Sequence, residues 1–208
     1  MNINQPKITS TDFYLVSFIG AAFALFSVPI LINLDISIIK ITPVNIALLV
    51  LFFVVFANLA LAFAWYINRL IPIAFQFAKF GAVGAFNTFV DWGILNTLIF
   101  ITGIAGGTGF ALFKGISFIV ATLSAYFWNK YWTFQSKDKT NSSEITKFIT
   151  VSVIGFFINV GLASIIIYLF SSTTLVTPEQ LANIAAATAT AVSLFWNFFG
   201  YKLFVFKK

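Results

Sequence analysis

Six long apolar stretches, separated by short polar or glycine-rich breaks, constrain this chain more than any other feature of its sequence. They cover residues 13–34, 43–67, 75–101, 109–129, 145–170 and 179–201. A helix that crosses a membrane needs about 20 mostly apolar residues, and each stretch reaches that length. Backbone N–H and C=O groups in hydrocarbon have to be paired within the segment, so runs this long predict helices. We therefore expect an all-α membrane protein with six transmembrane helices.

The shortage of charged residues supports a membrane location and excludes several classes of function. Charged residues make up 9% of the chain, against roughly a quarter in a soluble domain. The absence of Cys and His removes thiol nucleophiles, imidazole bases and most metal sites. We expect no enzyme activity, no catalytic residue, no metal and no cofactor. A membrane surface explains the net charge of +6, so we expect no nucleic-acid partner.

The distribution of Lys and Arg predicts the orientation of the helices. With six spans, both termini and the second and fourth connections lie on one side of the membrane. Ten basic residues fall on that side, and only Lys40 and Lys114 fall on the other. Cytoplasmic loops carry the excess of Lys and Arg in membrane proteins. This bias predicts that both termini are cytoplasmic.

The last four apolar stretches contain an internal similarity. Residues 79–83 resemble residues 147–151 at an offset of 68, and residues 126–134 resemble residues 198–206 at an offset of 72. An even number of spans gives both copies the same direction, so we predict two parallel two-helix repeats, at about 73–136 and 141–208. Residues 1–72 hold the first two stretches. The sequence favours a separate N-terminal hairpin extension there, and a third copy of the repeat is the alternative.

Asp91 is the most informative polar residue, because it lies deep within the third stretch. A charge at that depth costs several kcal/mol unless it meets a partner or water. At the helical rise, Asp91 is about 18 Å from Lys79 at the membrane boundary, and Lys114 is about 24 Å from the same boundary on the next helix. The depths predict an Asp91–Lys114 ion pair. Asn87 lies one turn before Asp91 on the same face and is expected to complete a site with them.

Two interpretations of this pair stay open. It is either a polar clamp that joins two helices, or a functional site within the membrane. The aligned positions of the second repeat are Asn159 and Ala186, which carry no charge. Because a clamp alone would be expected in both copies, the difference favours function.

A belt of basic and aromatic residues at the predicted cytoplasmic helix ends forms a second candidate site. Such belts anchor helices at the membrane boundary, but cationic pockets between helices also bind anionic lipid headgroups. Asn129 and Asn197 could add hydrogen bonds to phosphate or sugar hydroxyls. The belt contains Arg69, Lys79, Lys130, Lys147 and Lys202, interleaved with Trp65, Tyr66, Trp132 and Phe204.

Two segments carry a family resemblance. They read FAKFGAVGAFNTFVDWGILN and SAYFWNKYWTF, and with their partial duplicates they resemble the GtrA-like family of small multi-span membrane proteins over residues 73–208. The first hairpin departs from the usual four-span form of that family. The matching positions are Lys79, Phe80, Gly84, Asn87, Asp91, Asn129, Lys130, Trp132 and Phe134.

The resemblance implies translocation of polyprenyl-phosphate-linked sugar across the cytoplasmic membrane, for cell-envelope polysaccharide synthesis or glycosylation. It also implies membrane lipids and a membrane glycosyltransferase as partners, while a homo-oligomer is left open. The residues expected to bind substrate are Lys79, Asn87, Asp91, Lys114, Asn129, Lys130, Trp132, Asn197 and Lys202. A small proton-coupled exporter and a scaffold that anchors a glycosyltransferase without moving lipid are the alternatives.

Overall fold

The computed structural model describes residues 7–33, 41–172, 175 and 178–207, and within these residues it is all-α. All six long helices are long and apolar enough to cross a membrane, which confirms the predicted fold class. Lys40, one of the two basic residues assigned to the far side, lies outside the described residues. The helices are α1 (Ser10–Asn33), α2 (Pro43–Ile67), α3 (Ala74–Thr102), α4 (Gly107–Trp128), α5 (Ser142–Phe170) and α6 (Pro178–Gly200).

Local capping determines where several helices begin and end. Thr42 Oγ1 accepts a hydrogen bond from the Asn45 backbone N–H at 3.2 Å, and Pro43 occupies the first position of α2. At α5, Asn141 Oδ1 accepts a hydrogen bond from the Glu144 backbone N–H at 2.8 Å. These side chains pair N–H groups that have no partner within the helix. Gly103 ends α3 in the left-handed conformation (φ 71°), which glycine adopts without steric cost.

Both α4 and α6 continue into a five-residue π-helix, at Asn129–Thr133 and at Tyr201–Val205. The two π-helices start 72 residues apart, which is the offset of the sequence similarity. Short π-helical segments are rare and frequently lie at functional sites. Two hairpins that arose by duplication would be expected to share such a π-helix. The duplication itself stays a prediction.

The helices form two compact units, Met1–Thr133 and Phe134–Lys208. In the first unit, α1 packs against α2 and α3, and α3 also packs against α2 and α4. The N-terminal hairpin therefore shares a core with α3 and α4, while the division of the sequence at residue 72 stays a prediction. The core contains Val16, Ile19, Leu61, Phe75, Val83, Phe86, Val90, Ala121 and Trp132.

In the second unit, α5 and α6 form an antiparallel hairpin that closes around Tyr201. The ring of Tyr201 stacks on Phe148 with centroids 4.4 Å apart, and its hydroxyl lies 2.6 Å from Ser152 Oγ. Ala185, Ala189 and Ser193 recur every four residues on α6, a spacing typical of close helix packing, and all three are buried.

The outer surface of the described helices is apolar, as a lipid-facing surface has to be. Large apolar side chains are exposed along α2, α3, α4 and α5. Such extensive exposure would be unfavourable in water and costs little in hydrocarbon. Examples are Phe52, Phe56, Phe63, Phe100, Ile101, Phe118, Phe156 and Phe157.

Candidate functional site

Asp91 on α3 and Lys114 on α4 form an ion pair within the membrane-spanning helices, as their calculated depths predict. Lys114 Nζ donates to Asp91 Oδ2, and Ser117 Oγ donates to Asp91 Oδ1 at 2.6 Å. Both oxygens of the carboxylate are thereby paired. We call these three residues the α3–α4 cluster.

The α3–α4 cluster is only partly covered by protein. The Asp91 side chain is 17% exposed, whereas that of Lys114 is 42% exposed. Asp91 lies about 26 Å from the first residue of α3 and about 17 Å from its last, at the rise of an α-helix. Ionised groups at such depths face a protein interior or a polar cavity and not lipid tails. The Lys114 side chain, the more exposed of the two, is therefore accessible to a polar ligand.

Asn87 does not hydrogen-bond to the pair, although it lies one turn away on the same helix. Its Nδ2 donates to the Val83 carbonyl at 2.8 Å. Its Oδ1 is buried and accepts no hydrogen bond from the described part of the chain. The structure thus places Asn87 in the core of the first unit, beside the α3–α4 cluster rather than in it.

The second unit has an uncharged counterpart of this cluster. Asn159 on α5 aligns with Asp91, and its Nδ2 donates to Thr190 Oγ1 and Ser193 Oγ on α6, each at 3.2 Å. A polar bridge between paired helices is therefore present in both units. The charge is the property that distinguishes the first unit.

A second ion pair, between Asp12 and Lys79, joins α1 to the start of α3. Asp12 Oδ1 also accepts a hydrogen bond from Trp132 Nε1 at 2.9 Å. Asp12 Oδ2 accepts hydrogen bonds from the backbone N–H and the hydroxyl of Thr9, at 3.0 and 2.9 Å. All three of Asp12, Lys79 and Trp132 are buried. We call them the α1 clasp.

Sequence reasoning missed the role of Asp12, because the first apolar stretch was predicted to start at Phe13. The helix in fact starts at Ser10, so Asp12 belongs to its first turn and points into the bundle. The Thr9-x-x-Asp12 pattern before an apolar run is typical of a helix start, and it was the available signal. The clasp pairs Lys79 with a carboxylate, and binding of a lipid phosphate by Lys79 stays a prediction.

Three other residues of the basic belt lie beside aromatic rings and differ in how deeply they are buried. Lys130 is fully buried, with Nζ 3.4 Å from the Tyr126 hydroxyl. Arg69 is exposed and lies 5.3 Å from the ring centroids of both Trp65 and Tyr66. Lys202 Nζ lies 5.7 Å from the ring centroid of Phe198, which gives it the same aromatic environment.

The two asparagines predicted near the belt are both close to helix backbone. Asn129 is buried, and its Nδ2 donates to the Ala125 carbonyl at 2.9 Å. Asn197 occupies the space beside Gly155, where a Cβ atom would overlap its side chain. The Oδ1 atoms of both asparagines are buried without a hydrogen-bond donor from the described residues. Each therefore retains an acceptor that a ligand hydroxyl could satisfy.

Comparison with known proteins matches the sequence of this chain to a family. The family model described as GtrA/DPMS, transmembrane domain, matches residues 79–206. An uncharacterized membrane protein of Bacillus subtilis (strain 168), YngA, is 25% identical over 128 residues, which cover 62% of this chain and 77% of that protein. No solved structure matches the chain. Since the family match covers more than half of the chain, this multi-pass membrane protein belongs to the GtrA/DPMS transmembrane domain family.

Proposed function

We propose that this protein moves polyprenyl-phosphate-linked sugar across the cytoplasmic membrane, for cell-envelope polysaccharide synthesis or glycosylation. The observation that carries the proposal is the α3–α4 cluster, which holds a partly exposed charged pair inside the span. The GtrA/DPMS family is associated with flipping of sugar-phosphate-polyprenols, and the cluster lies within the matched region.

The chemistry of the cluster suits a polar headgroup that passes through an apolar layer. A phosphate is attracted to the Lys114 ammonium group, and sugar hydroxyls donate hydrogen bonds to the Asp91 carboxylate. The Asp91 carboxylate offsets the charge of Lys114, so the site attracts an anionic headgroup only weakly. Passage through a membrane needs contacts strong enough for entry and weak enough for release, and a neutral pair meets both conditions.

Reconstitution of the purified protein tests the proposal directly. Proteoliposomes are loaded with a polyprenyl-phosphate-linked sugar, and a membrane-impermeant glycosidase reports how much sugar is in the outer leaflet. We expect time-dependent exposure of sugar from the inner leaflet, and none in liposomes without protein. Absence of exchange with folded protein would support the scaffold alternative and overturn the proposal.

The charged pair gives a first prediction about residues. Asp91→Asn and Lys114→Met each leave one charge without its partner, and each should destabilise the protein by about 1–3 kcal/mol. The double variant should lose less stability than the two single losses summed, because no lone charge remains. Transport should fall at least tenfold in all three variants. Thermal unfolding in detergent and the liposome assay measure the two effects.

The controls for these variants are Asp138→Asn and Lys139→Met, which make the same chemical changes in an exposed connection. Both controls should transport as the unaltered protein does. Restored transport in the double variant would make the pair a structural clamp. Strictly additive stability losses would show that the two side chains do not interact.

A further inference from the structure

An apolar cavity of about 300 Å³ lies among α1, α2 and α3 in the first unit. It is lined by residues from positions 16–23, 53–61 and 78–85, and every lining residue is apolar. More than half of the lining residues are Gly or Ala. An apolar cavity of this kind takes up apolar ligands, and its volume is at the lower end of ligand-binding pockets.

The cavity lies in one half of the span, towards the basic ends of the helices. At the rise of an α-helix, its lining residues lie about 9–20 Å from the start of α1, about 9–21 Å from the end of α2 and about 6–17 Å from the start of α3. These ends carry the α1 clasp and Arg69. The cavity, the α1 clasp and Arg69 therefore belong to the same half of the first unit's span.

Two glycines show how the cavity arises. A Cβ atom at Gly20 would lie 2.7 Å from the Phe53 carbonyl oxygen, so α1 and α2 are in close backbone contact there. A Cβ atom at Gly81 on α3 would meet nothing within 4 Å. The small residues of α3 thus leave space unfilled beside a tightly packed α1–α2 hairpin. Unfilled space forfeits dispersion contacts, which an inserted hydrocarbon chain would restore.

We propose that this cavity binds a segment of the isoprenoid chain of the polyprenyl-phosphate lipid, an inference that rests on the proposed function. An isoprenoid chain carries a methyl branch on every fourth carbon and is wider than a straight acyl chain. The Gly and Ala positions of α3 provide that width. The cavity is too small for a whole lipid, so the rest of the chain remains in the bilayer.

Arg69 is the group that holds the phosphate of the same lipid. It is exposed two residues beyond the end of α2, over Trp65 and Tyr66, and Leu61 at the cavity lies about 9 Å along the helix from that end. A cation at the membrane boundary above an apolar cavity matches a lipid with an anionic head and a hydrocarbon tail. Because most of the lining comes from outside the family match at 79–206, the N-terminal hairpin adds a tail-binding site to the family domain.

Filling the cavity tests this inference. Gly81→Leu projects a side chain into the cavity, whereas Gly84→Leu, one turn along α3, faces open space outside it. Undecaprenyl phosphate is bound to the purified full-length protein and measured by native mass spectrometry. We expect at least fivefold weaker binding in Gly81→Leu and a change of less than twofold in Gly84→Leu. Ala85→Leu, which also lines the cavity, should repeat the loss if Gly81→Leu does not fold.

Competition with a straight-chain lipid identifies the chain that is bound. A straight-chain alkyl monophosphate carries the same phosphate monoester head and should displace undecaprenyl phosphate poorly from the unaltered protein. The inference would be overturned if the straight-chain lipid displaced undecaprenyl phosphate as well as undecaprenyl phosphate itself does. It would also be overturned if folded Gly81→Leu and Ala85→Leu bound undecaprenyl phosphate as the unaltered protein does. If the cavity variants lose binding but the unaltered protein exchanges no lipid-linked sugar, the proposed function fails and the tail site stands. If Gly81→Leu and Ala85→Leu bind the lipid and transport its sugar normally, the proposed tail-binding site fails and the proposed function is unaffected.

Discussion

Two ion pairs inside the first unit have the same chemistry and different exposure. In the α1 clasp, Asp12 and Lys79 are both buried, and every described hydrogen bond to the carboxylate comes from neighbouring protein groups. In the α3–α4 cluster, the side chain of Lys114 is 42% exposed. A fully enclosed pair has no free surface for a ligand, so the clasp joins helices. The partly open pair is the one that retains surface for a ligand.

The clasp should therefore contribute more to stability than the cluster. Asp12→Asn leaves the Lys79 ammonium group buried without a counter-charge, which typically costs about 3–5 kcal/mol. We expect a larger fall in thermal stability for Asp12→Asn than for Asp91→Asn, measured by intrinsic Trp fluorescence in detergent. Adding Lys79→Met to Asp12→Asn should recover part of the loss.

The exposed Asp138 provides the matched control for the clasp. Asp138→Asn should change stability by about 0.5 kcal/mol or less, as surface substitutions usually do. A smaller effect of Asp12→Asn than of Asp91→Asn would contradict the assignment of the clasp as the structural pair.

At the scale of the helices, glycines determine which neighbours pack closely. Helices in lipid gain no hydrophobic stabilisation from association, so close packing of small residues contributes much of their attraction. Gly20 allows α1 to touch the backbone of α2, and Gly93 faces the Phe26 ring of α1 so closely that no Cβ atom would fit. The N-terminal hairpin is thus fitted to α3 at one level of the membrane and separated from it at the cavity.

Gly20→Ala should separate α1 from α2, because its Cβ atom would lie 2.7 Å from the Phe53 carbonyl oxygen. Overpacking of this kind typically costs about 1–3 kcal/mol. Gly84→Ala meets nothing within 4 Å and should be neutral or stabilising by up to about 1 kcal/mol, because Ala favours the helix. The thermal stabilities of the two variants are compared by unfolding in detergent. Equal stability would show that the α1–α2 contact is not close.

At the scale of the whole molecule, the apolar exterior indicates a multi-pass membrane protein, and the distribution of charge predicts its topology. Six helices in the described part of the chain qualify as spans, and ten of the twelve basic residues fall on one predicted side. Positively charged loops are retained in the cytoplasm during insertion. The side of the membrane on which the α1 clasp and Arg69 lie depends on this orientation, which stays a prediction.

Reporter fusions test the topology. A phosphatase or fluorescent reporter joined after Lys208, or inserted beside Lys139, should report a cytoplasmic location at both places. A reporter inserted in the 103–106 connection should report the opposite side. An extracytoplasmic signal at Lys208 or Lys139 would contradict the six-span topology.

The sequence alone determined the six helices and the Asp91–Lys114 contact. The length of each apolar stretch sets the number of spans, because hydrocarbon thickness demands about 20 residues. The rise per residue then sets the depth of each charge, so two charges at similar depths on successive antiparallel helices can be paired without a structure. Helix ends were predicted to within a few residues for the same reason.

Only the tertiary structure decided which sides of the helices meet. Helices apolar all round show no stripe that separates a protein-facing side from a lipid-facing side, so the sequence pattern does not predict lateral packing. The contact between Asp12 and Trp132, 120 residues apart, the position of Asn87 away from the charged pair, and the cavity beside Gly81 all depend on that packing. The sequence could place each of these residues at a depth, and the fold decided what each one faces.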